Sequence, residues 1–320
     1  MERQTVTVGQ FFKEQGAALE MKLLSGEGSL ERVIREPTVN RPGLALSGFT
    51  RYFAYKRIQV MGHAEVYYLR SLRREERVAR YAYLFAYKIP CVVFSRGLKP
   101  DREFLNAAAE AGVPVFQTPV VTMKFINKAT LELEMMFAPR TSEHGCMVDI
   151  LGIGVIVRGE SGIGKSEAVL ALIERGYSLV ADDVVRGVLV DGRDVVCTSS
   201  ELTRDHMEVR GIGIINVAQM FGVKAIRKEK ILDLIVTLKA WQEVTDVDRL
   251  GMEQEFVKVL GVDVPHVTIP VRPGRDIARL IEVAAFQIKL RKSGYNAAEA
   301  LNKRLLAQMA GQAAEAMTAL

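Results

Sequence analysis

The sequence predicts an α/β protein of two domains: an N-terminal α/β domain, residues 1–135, and a C-terminal domain, residues 136–320, built around a phosphate-binding loop. Three observations lead to this prediction. Short apolar runs alternate along the chain with stretches of helical periodicity. A chain of 320 residues is long for one hydrophobic core. A glycine-rich motif follows an apolar run and precedes an amphipathic stretch, which is the arrangement of strand, loop and helix that binds phosphate.

The N-terminal domain is predicted as alternating short strands and helices. The predicted elements, in chain order, are a weak strand at 5–12, a helix at Phe11–Leu24, a strand at Arg57–Gly62, helix through Tyr87, a strand at Cys91–Phe94, a helix at Phe104–Ala111 and a strand at Val113–Phe116. Helix Phe125–Phe137 connects to the next domain and ends at Ala138-Pro139, so we place the boundary between 130 and 140. We find no phosphate loop, metal-ligand spacing or catalytic constellation in this domain.

The C-terminal domain is predicted around Gly159–Ser166, which fits the motif G-x-x-x-x-G-K-[ST]. Glycines let the backbone close around an anion in conformations that other residues resist. Backbone N–H groups and the start of the next helix attract phosphate. Lys165 is predicted to neutralise the β- and γ-phosphates, and Ser166 to ligate Mg²⁺. The predicted nucleotide-binding residues are Gly159, Glu160, Ser161, Gly162, Ile163, Gly164, Lys165 and Ser166.

The flanking segments support this motif. Met147–Val157 is an apolar, β-branched run that predicts one buried strand before the loop. Val169, Leu172 and Ile173 follow at helical spacing, and Gly176 lies where a helix C-cap is expected. An accidental match without this context is therefore the weaker interpretation.

An acidic pair follows the next predicted strand. The apolar run Tyr177–Ala181 leads to Asp182 and Asp183. Carboxylates at the end of a strand beside a phosphate loop are placed for metal binding and proton transfer. A turn is the alternative, because Asp is common in turns, but the apolar run delivers the pair to the mouth of the site. The pair comes about 17 residues after Lys165, sooner than the second acidic motif of most NTPases with this loop.

Three further segments carry charged residues whose roles the residues alone leave open. Glu208 and Arg210 precede a glycine-interrupted apolar run, in which the glycines are a weak signal and can mark a bulge. Arg249 lies in a polar loop after Trp241, where a surface salt bridge and stabilisation of a transferred phosphate are equally good interpretations. Ile269–Arg275 predicts a stiff turn with two arginines suited to anion contact.

The end of the chain is predicted to be helical. One stripe has helical spacing and is typical of core: Ile277, Leu280, Ile281, Ala284, Ala285 and Ile288. Gly294 ends this helix, and Asn296–Glu299 is similar to a capping box for a last, Ala-rich helix that is suited to pack on a neighbouring subunit.

Composition excludes several classes. Apolar content of 49% and charged content of 25% are ordinary for a globular protein. No apolar run reaches 18 residues and the first residues lack a signal-peptide pattern, so we expect a cytoplasmic protein that does not enter membranes. Cys91, Cys146 and Cys197 are widely spaced and predict neither disulfides nor a zinc site. The net charge of +5 is mild, and the arginine cluster at 70–80 is more typical of a solvated surface, so we expect no nucleic-acid partner.

Taken together, these motifs resemble the HPr kinase/phosphorylase family, bacterial regulators that phosphorylate a serine of the phosphocarrier protein HPr and also remove that phosphate. The resemblance covers nearly the whole chain. It rests on these segments: Arg41–Leu44, Arg57–Gly62, His144-Gly145, Gly159–Ser166, Val180–Asp183, Glu208–Val217, Asp248–Gly251 and Ile269–Arg275. The early acidic pair and the block that begins at Glu208 are the most distinctive of them.

The resemblance implies a P-loop kinase core similar to PEP carboxykinase and a homohexamer. It implies ATP and Mg²⁺ as cofactors, with pyrophosphate as a second phosphoryl donor. The expected partner is HPr or a close relative, and inorganic phosphate is expected to remove the phosphate as pyrophosphate.

The resemblance also implies roles for individual residues. Asp183 is expected to be the general base, with Asp182 beside it, and Ser166 and Glu208 are expected to ligate Mg²⁺. The other catalytic residues are expected to be His144, Lys165 and Arg249. A loop that serves mainly dephosphorylation is expected at Pro270, Val271, Arg272, Pro273, Gly274 and Arg275.

Two other functions stay open on the residues alone. A small-molecule kinase or a carboxykinase relative would use the same core with another acceptor. A nucleotide-sensing module would bind ATP without transferring phosphate, although Asp182, Asp183 and Glu208 argue against it because binding alone needs no base. His144, taken by itself, is more often a structural histidine.

Overall fold

The computed structural model describes residues 5–244, 254–296, 299–304 and 306–308. Residues 1–139 and 140–320 form two compact units. Both units contain a sheet with helices, so the predicted α/β class is confirmed. Among the described residues, no helix has the length and apolar character needed to cross a membrane.

The first unit alternates strands and helices. Its strands are β1 (Val6–Thr7), β2 (Lys22–Ser25), β3 (Val33–Ile34), β4 (Val39–Asn40), β5 (Ile58–Met61), β6 (Val92–Phe94) and β7 (Val115–Gln117). Its helices are α1 (Val8–Gln15), α2 (Gly43–Ser47), α3 (His63–Ser71), α4 (Arg74–Ala86), α5 (Arg102–Glu110) and α6 (Thr122–Phe137).

The main sheet of this unit has the order β2-β7-β6-β5-β4. Strands β4 to β7 are parallel, and β2 pairs antiparallel with β7 at one edge. Parallel sheets are covered on both faces, and here Phe11 and Phe125 pack in one core cluster while Leu84 and Phe104 pack in another. The central strands β5 and β6 are therefore buried on both faces, whereas the edge strands β2 and β4 are only partly buried.

Two helix predictions in this unit need correction. The helix predicted at Phe11–Leu24 is wrong over much of its length, because α1 is earlier and shorter and strand β2 occupies the end of that segment. The Thr7 hydroxyl accepts a hydrogen bond from the Gln10 N–H at 3.1 Å and caps α1 before the predicted start. The segment predicted as helix through Tyr87 is two helices, because the backbone turns extended at Leu72 (φ −80°, ψ 151°).

The arginine cluster at 70–80 is partly neutralised. Arg74 lies 2.9 Å from Glu103, and Arg77 lies 3.1 Å from Asp101, the residue that caps α5. These ion pairs between α4 and α5 account for two of the arginines as part of a structural surface.

The second unit is richer in strands. They are β8 (Arg140–His144), β9 (Cys146–Ile150), β10 (Ile153–Gly159), β11 (Ser178–Ala181), β12 (Val184–Val190), β13 (Asp194–Thr198), β14 (His206–Val209), β15 (Gly213–Asn216), β16 (Glu229–Ala240), β17 (Glu255–Val259) and β18 (Val262–Val271). Its helices are α7 (Lys165–Glu174), α8 (Val217–Phe221) and α9 (Ile277–Lys292), and residues 299–304 and 306–308 are also helical.

The long strand β16 joins two parts of the sheet. β10 and β18 pair parallel with β16, and β9 and β11 continue beyond β10. The start of β16 also pairs with β13, which leads on to β12 and β8. Val155 packs with Ile281 of α9 in one core, whereas its strand neighbour Ile156 packs with Val185 of β12 in another. β10 is thus buried on both faces and carries the phosphate loop at its end.

The apolar run Met147–Val157, predicted as one strand, is two. Leu151 (φ 49°) and Gly152 (φ 93°) adopt left-handed backbone, so the chain reverses and β9 pairs antiparallel with β10. Asp149 Oδ1 accepts the Gly152 N–H at 2.8 Å and fixes the turn. Periodicity missed the turn because both strands are buried on both faces.

Two helix predictions for this unit are confirmed. Val169, Leu172 and Ile173 of α7 are buried, and Gly176 follows the helix with a φ of +95°. The buried members of the α9 stripe are Ile281, Ala284, Ala285 and Ile288, with Ile277 and Leu280 packed against the same core.

Candidate active site

The predicted phosphate loop is the turn between β10 and α7. Gly159 has a φ of +151°, and a Cβ added there would lie 2.7 Å from the Leu238 carbonyl oxygen of β16. Gly164, with a φ of +100°, is the N-cap of α7. Both positions require glycine, because other residues rarely adopt this backbone and the neighbouring strand leaves no room at Gly159.

The loop directs N–H groups and one cation into the same space. Helix α7 begins at Lys165, and Gly164 has no side chain to cap its first turn, so the first N–H groups are free for an anion. Lys165 Nζ donates to the carbonyl oxygens of Gly159 and Glu160, both at 2.8 Å. These acceptors carry no net charge, so the ammonium charge remains for a phosphate.

Asp182 and Asp183 follow β11 but have different environments. Asp182 is 7% exposed and accepts hydrogen bonds from the Cys146 thiol at 2.8 Å and from the Glu208 N–H at 2.9 Å. Asp183 is exposed, with a φ of +65°, and its carbonyl oxygen accepts the Gly145 N–H at 2.9 Å. Among the described residues, no donor reaches the Asp183 carboxylate. Asp182 is therefore held in place by neighbouring groups, whereas the Asp183 carboxylate remains available to a ligand.

The β14–β15 hairpin adds a carboxylate and a guanidinium. Met207 and Val209 are buried in the core, so Glu208 and the next alternate residue, Arg210, lie on the opposite side. Arg210 Nη2 donates to Ser161 Oγ at 2.7 Å. The hairpin thus lies against the phosphate loop and brings both charges to it.

Cys146 supplies a thiol to the same space. Burial, and then the charge of Asp182, raise the pKa of the Cys146 thiol well above its ordinary value. The thiol consequently stays protonated and donates to Asp182. Its sulfur lies 3.9 Å from Ser166 Oγ.

These groups line one cavity. The lining residues are Cys146, Ser161, Gly162, Gly164, Lys165, Ser166, Glu167, Asp182, Asp183, Glu208 and Arg210. The lining combines two cations, Lys165 and Arg210, with the carboxylates of Glu167, Asp182, Asp183 and Glu208. This arrangement suits transfer of a phosphoryl group, which requires charge neutralisation at the phosphate and a base at the acceptor.

One predicted catalytic residue, His144, is not among the described residues that line this cavity. His144, the last residue of β8, is exposed and pairs in register with Val184, so it lies one residue along from Asp183. Arg249, with the rest of Asp248–Gly251, lies outside the described residues.

The predicted arginine turn leaves the sheet at the same edge as the phosphate loop. Strand pairing places Gly159 of β10 beside Leu238 of β16, and Leu238 beside Ile269 of β18. The segment Pro270–Arg275 follows immediately. Since neighbouring strands are about 4.8 Å apart, the two segments begin roughly 10 Å from each other.

Arg210 and Cys146 line the cavity although the sequence predicts no site role for either residue. The sequence pattern could have indicated Arg210, because strand periodicity places its side chain on the same side as that of Glu208. Cys146 had none, since a lone cysteine in an apolar strand is typical of core.

Comparisons with known proteins cover the chain. A family model described as HPr Serine kinase N terminus matches residues 6–133, and one described as HPr Serine kinase C-terminal domain matches residues 135–305. A protein of Leptospira biflexa named HPr kinase/phosphorylase is 41% identical over 90% of both chains. One of the same name from Chloroherpeton thalassium is 41% identical over 98% of this chain and 93% of its own. A solved structure of the Hpr(Ser) kinase/phosphatase from Coxiella burnetii is 30% identical, covers 50% of this chain and 98% of its own, and has a TM-score of 0.47.

Proposed function

Because this chain belongs to the HPr kinase/phosphorylase family, we propose that it phosphorylates a serine of HPr with ATP and removes that phosphate with inorganic phosphate, releasing pyrophosphate. One observation carries the proposal. The cavity joins a phosphate loop to Asp183, an exposed carboxylate with no hydrogen-bond donor among the described residues. A pure nucleotide sensor has no need of such a base.

The phosphate loop holds the phosphates of ATP. The uncapped start of α7 supports this role, as does Lys165, which rests on two neutral carbonyl oxygens. Pyrophosphate presents the same two linked phosphates, so it is a reasonable second phosphoryl donor. The same cradle then holds inorganic phosphate in the reverse direction.

Ser166 and Glu208 fit an Mg²⁺ site, because both present oxygen atoms to the cavity beside the loop. In the part of the chain that the structure describes, no group of three His, Cys, Asp or Glu side chains converges on a metal position. Mg²⁺ does not require one, since it is commonly held by one or two protein ligands together with substrate phosphates and water. When bound, the ion neutralises charge on the phosphates.

Asp183 moves the proton in both directions. In the kinase direction the serine oxygen attacks the γ-phosphorus, the bond to the ADP oxygen breaks, and Asp183 accepts the hydroxyl proton. In the reverse direction an oxygen of inorganic phosphate attacks the phosphoserine phosphorus, the bond to the serine oxygen breaks, and Asp183 returns the proton to that oxygen. Asp182 is a poor candidate for this task because two donors already occupy its carboxylate.

The remaining roles rest on family membership. His144 and Arg249 complete the catalytic site, and Pro270–Arg275 serves mainly dephosphorylation. Arg210, which lines the cavity, adds positive charge beside the loop. We further propose a homohexamer that works in the cytoplasm, where ATP and HPr meet; light scattering of the purified protein tests the assembly.

The decisive experiment supplies ATP, Mg²⁺ and purified HPr and follows phosphoserine by mass spectrometry. Inorganic phosphate is then added, and pyrophosphate is measured as phosphoserine disappears. HPr without its acceptor serine is the control. ATP binding without phosphoserine formation would contradict the proposal and favour a nucleotide sensor. Transfer of label to a small molecule in place of HPr would favour the small-molecule kinase.

A further inference from the structure

Trp241, the single tryptophan of the chain, contacts both arginines of the turn after β18. The ring centroid lies 4.8 Å from Arg272 Cζ and 6.0 Å from Arg275 Cζ. A guanidinium within about 6 Å of an indole face is attracted by its negative potential. Ala240 pairs with Val271, so the pairing of β16 with β18 places the ring beside the turn.

The indole ring contacts both guanidinium groups but does not neutralise their charge. In the described parts of the chain, neither Arg272 nor Arg275 forms an ion pair; Arg275 Nη1 donates only to the Pro270 carbonyl oxygen, at 3.3 Å. Arg175 differs, because Asp276 and Glu282 lie 2.7 and 3.1 Å from it. A stacked guanidinium keeps its charge and its in-plane N–H donors, which bind phosphate in pairs.

The turn is well placed to meet a phosphate at the loop. It leaves the sheet two strands away from the phosphate loop, at the same edge. An arginine side chain loses conformational entropy when it binds a ligand, and this loss weakens binding. A neighbouring group that orders the side chain in advance, and leaves its charge unpaired, therefore favours contact with an anion. Trp241 is 43% exposed, and its replacement therefore does not open the core.

We infer that Trp241 is a positioning residue for dephosphorylation, and that its indole orders Arg272 and Arg275 toward the phosphate of phosphoserine. This inference rests on the proposed function of the turn. A merely structural tryptophan would affect stability, and with it both directions of transfer equally. A positioning tryptophan affects phosphorolysis selectively and acts through the arginines.

The test compares Trp241→Leu, which removes the ring, with Trp241→Phe, which keeps an aromatic face. For Trp241→Leu we expect a loss of about 3- to 10-fold in kcat/KM for phosphorolysis of phosphoseryl-HPr, in keeping with two exposed cation–π contacts. The kinase direction should change less, and Trp241→Phe should recover most of the loss. Tyr52→Leu, at an 80% exposed aromatic of the first unit, is the matched control and should change neither direction.

A double-variant cycle distinguishes the possible failures. If Trp241 acts through Arg272, the double variant Trp241→Leu/Arg272→Ala loses less than the product of the single losses. Equal losses in both directions, or multiplicative losses, overturn the inference. If Arg272→Ala spares phosphorolysis, the proposed role of the turn fails; if Arg272→Ala is selective but Trp241→Leu is silent, only the inference fails. Thermal melts check folding, and Trp241→Met replaces Trp241→Leu if that variant unfolds.

Discussion

The two units end their strands in different ways. In the first unit, Glu65 is 4% exposed and accepts three hydrogen bonds: two from Arg41, at 3.0 and 2.9 Å, and one from the Gly62 N–H at 2.9 Å. Ser95 and Thr122 likewise pair with each other at 2.8 Å. The polar groups at this sheet edge thus satisfy one another.

The second unit leaves its strand ends available. Lys165 contacts carbonyl oxygens, and Asp183 has no donor among the described residues. Glu208 and Arg210 face the same cavity. Both edges belong to α/β sheets, so the architecture alone does not decide which one is chemically active. The two edges differ in their charged groups: in the first unit these groups pair with one another, and in the second unit they remain available to a ligand.

The largest effect on activity is expected for Lys165→Ala, at the sheet edge of the second unit. Both directions use the phosphate cradle, so both should fall together, by about 10³–10⁵-fold as for other cations that stabilise a transferred phosphate. Lys289→Ala is the matched control, because Lys289 Nζ also donates to a carbonyl oxygen, that of Leu151, at 2.8 Å. Steady-state assays in both directions measure the effect. Retained phosphorolysis in the Lys165 variant would break the idea of a shared cradle.

The next effect concerns Asp183→Asn. Loss of a general base should lower kcat by about 10²–10⁴-fold while ATP affinity changes little. Asp182→Asn is expected to behave differently, since Asp182 anchors Cys146 and the Glu208 backbone. That variant should impair binding and chemistry together. Calorimetry with ATP separates the two; if Asp183→Asn loses binding as strongly as rate, Asp183 is a ligand and not the base.

At the sheet edge of the first unit, where the polar groups pair with one another, the expected effect is on stability. Arg41→Ala leaves the buried Glu65 carboxylate with one donor, and we expect a loss of about 2–4 kcal/mol in unfolding free energy. Arg57→Ala is the matched control, since its partner Glu36 is 36% exposed and the pair should contribute less than about 1 kcal/mol. Urea unfolding of both variants gives the comparison. Equal small losses would show that this sheet edge is not held by this pair.

The sequence predicted the parts of the site that local chemistry dictates. The motif Gly159–Ser166 and the apolar run before Asp182 and Asp183 each carry their own signal, and the structure places residues of both at one cavity. The anchoring of Asp182 could not be predicted, because its donors come from Cys146 and Glu208, which lie on other strands. Such contacts depend on sheet order.

The two errors in the predicted fold have different causes. One continuous apolar run hid the turn at Leu151 and Gly152, because a strand buried on both faces has no alternation to interrupt. The helix predicted at Phe11–Leu24 failed because strand pairing with β7 outweighs the helical spacing near its end. In the second case tertiary packing overrode a local pattern; in the first, a local turn left no trace in the hydrophobic pattern.

The two ends of strand β11 show the same contrast between an available polar group and a paired one. Asp183 follows the end of the strand, whereas Tyr177, just before its start, donates a hydrogen bond to Glu282. Burial first, and then this bond and the carboxylate charge, raise the pKa of Tyr177 to about 12. The neutral phenol is therefore favoured in the folded state.

The smallest effect is expected for the hydrogen bond from Tyr177 to Glu282, and the pH dependence of stability tests it. Since the folded pKa lies above the unfolded value of about 10, the contribution is complete below pH 10 and is lost as pH rises toward 12. Tyr177→Phe should cost about 1 kcal/mol at pH 8, the usual value of one hydrogen bond, and this cost should shrink between pH 10 and 12. Urea unfolding at several pH values measures it, with Tyr52→Phe as control. A cost that stays constant with pH would mean that the phenol packs there without depending on Glu282.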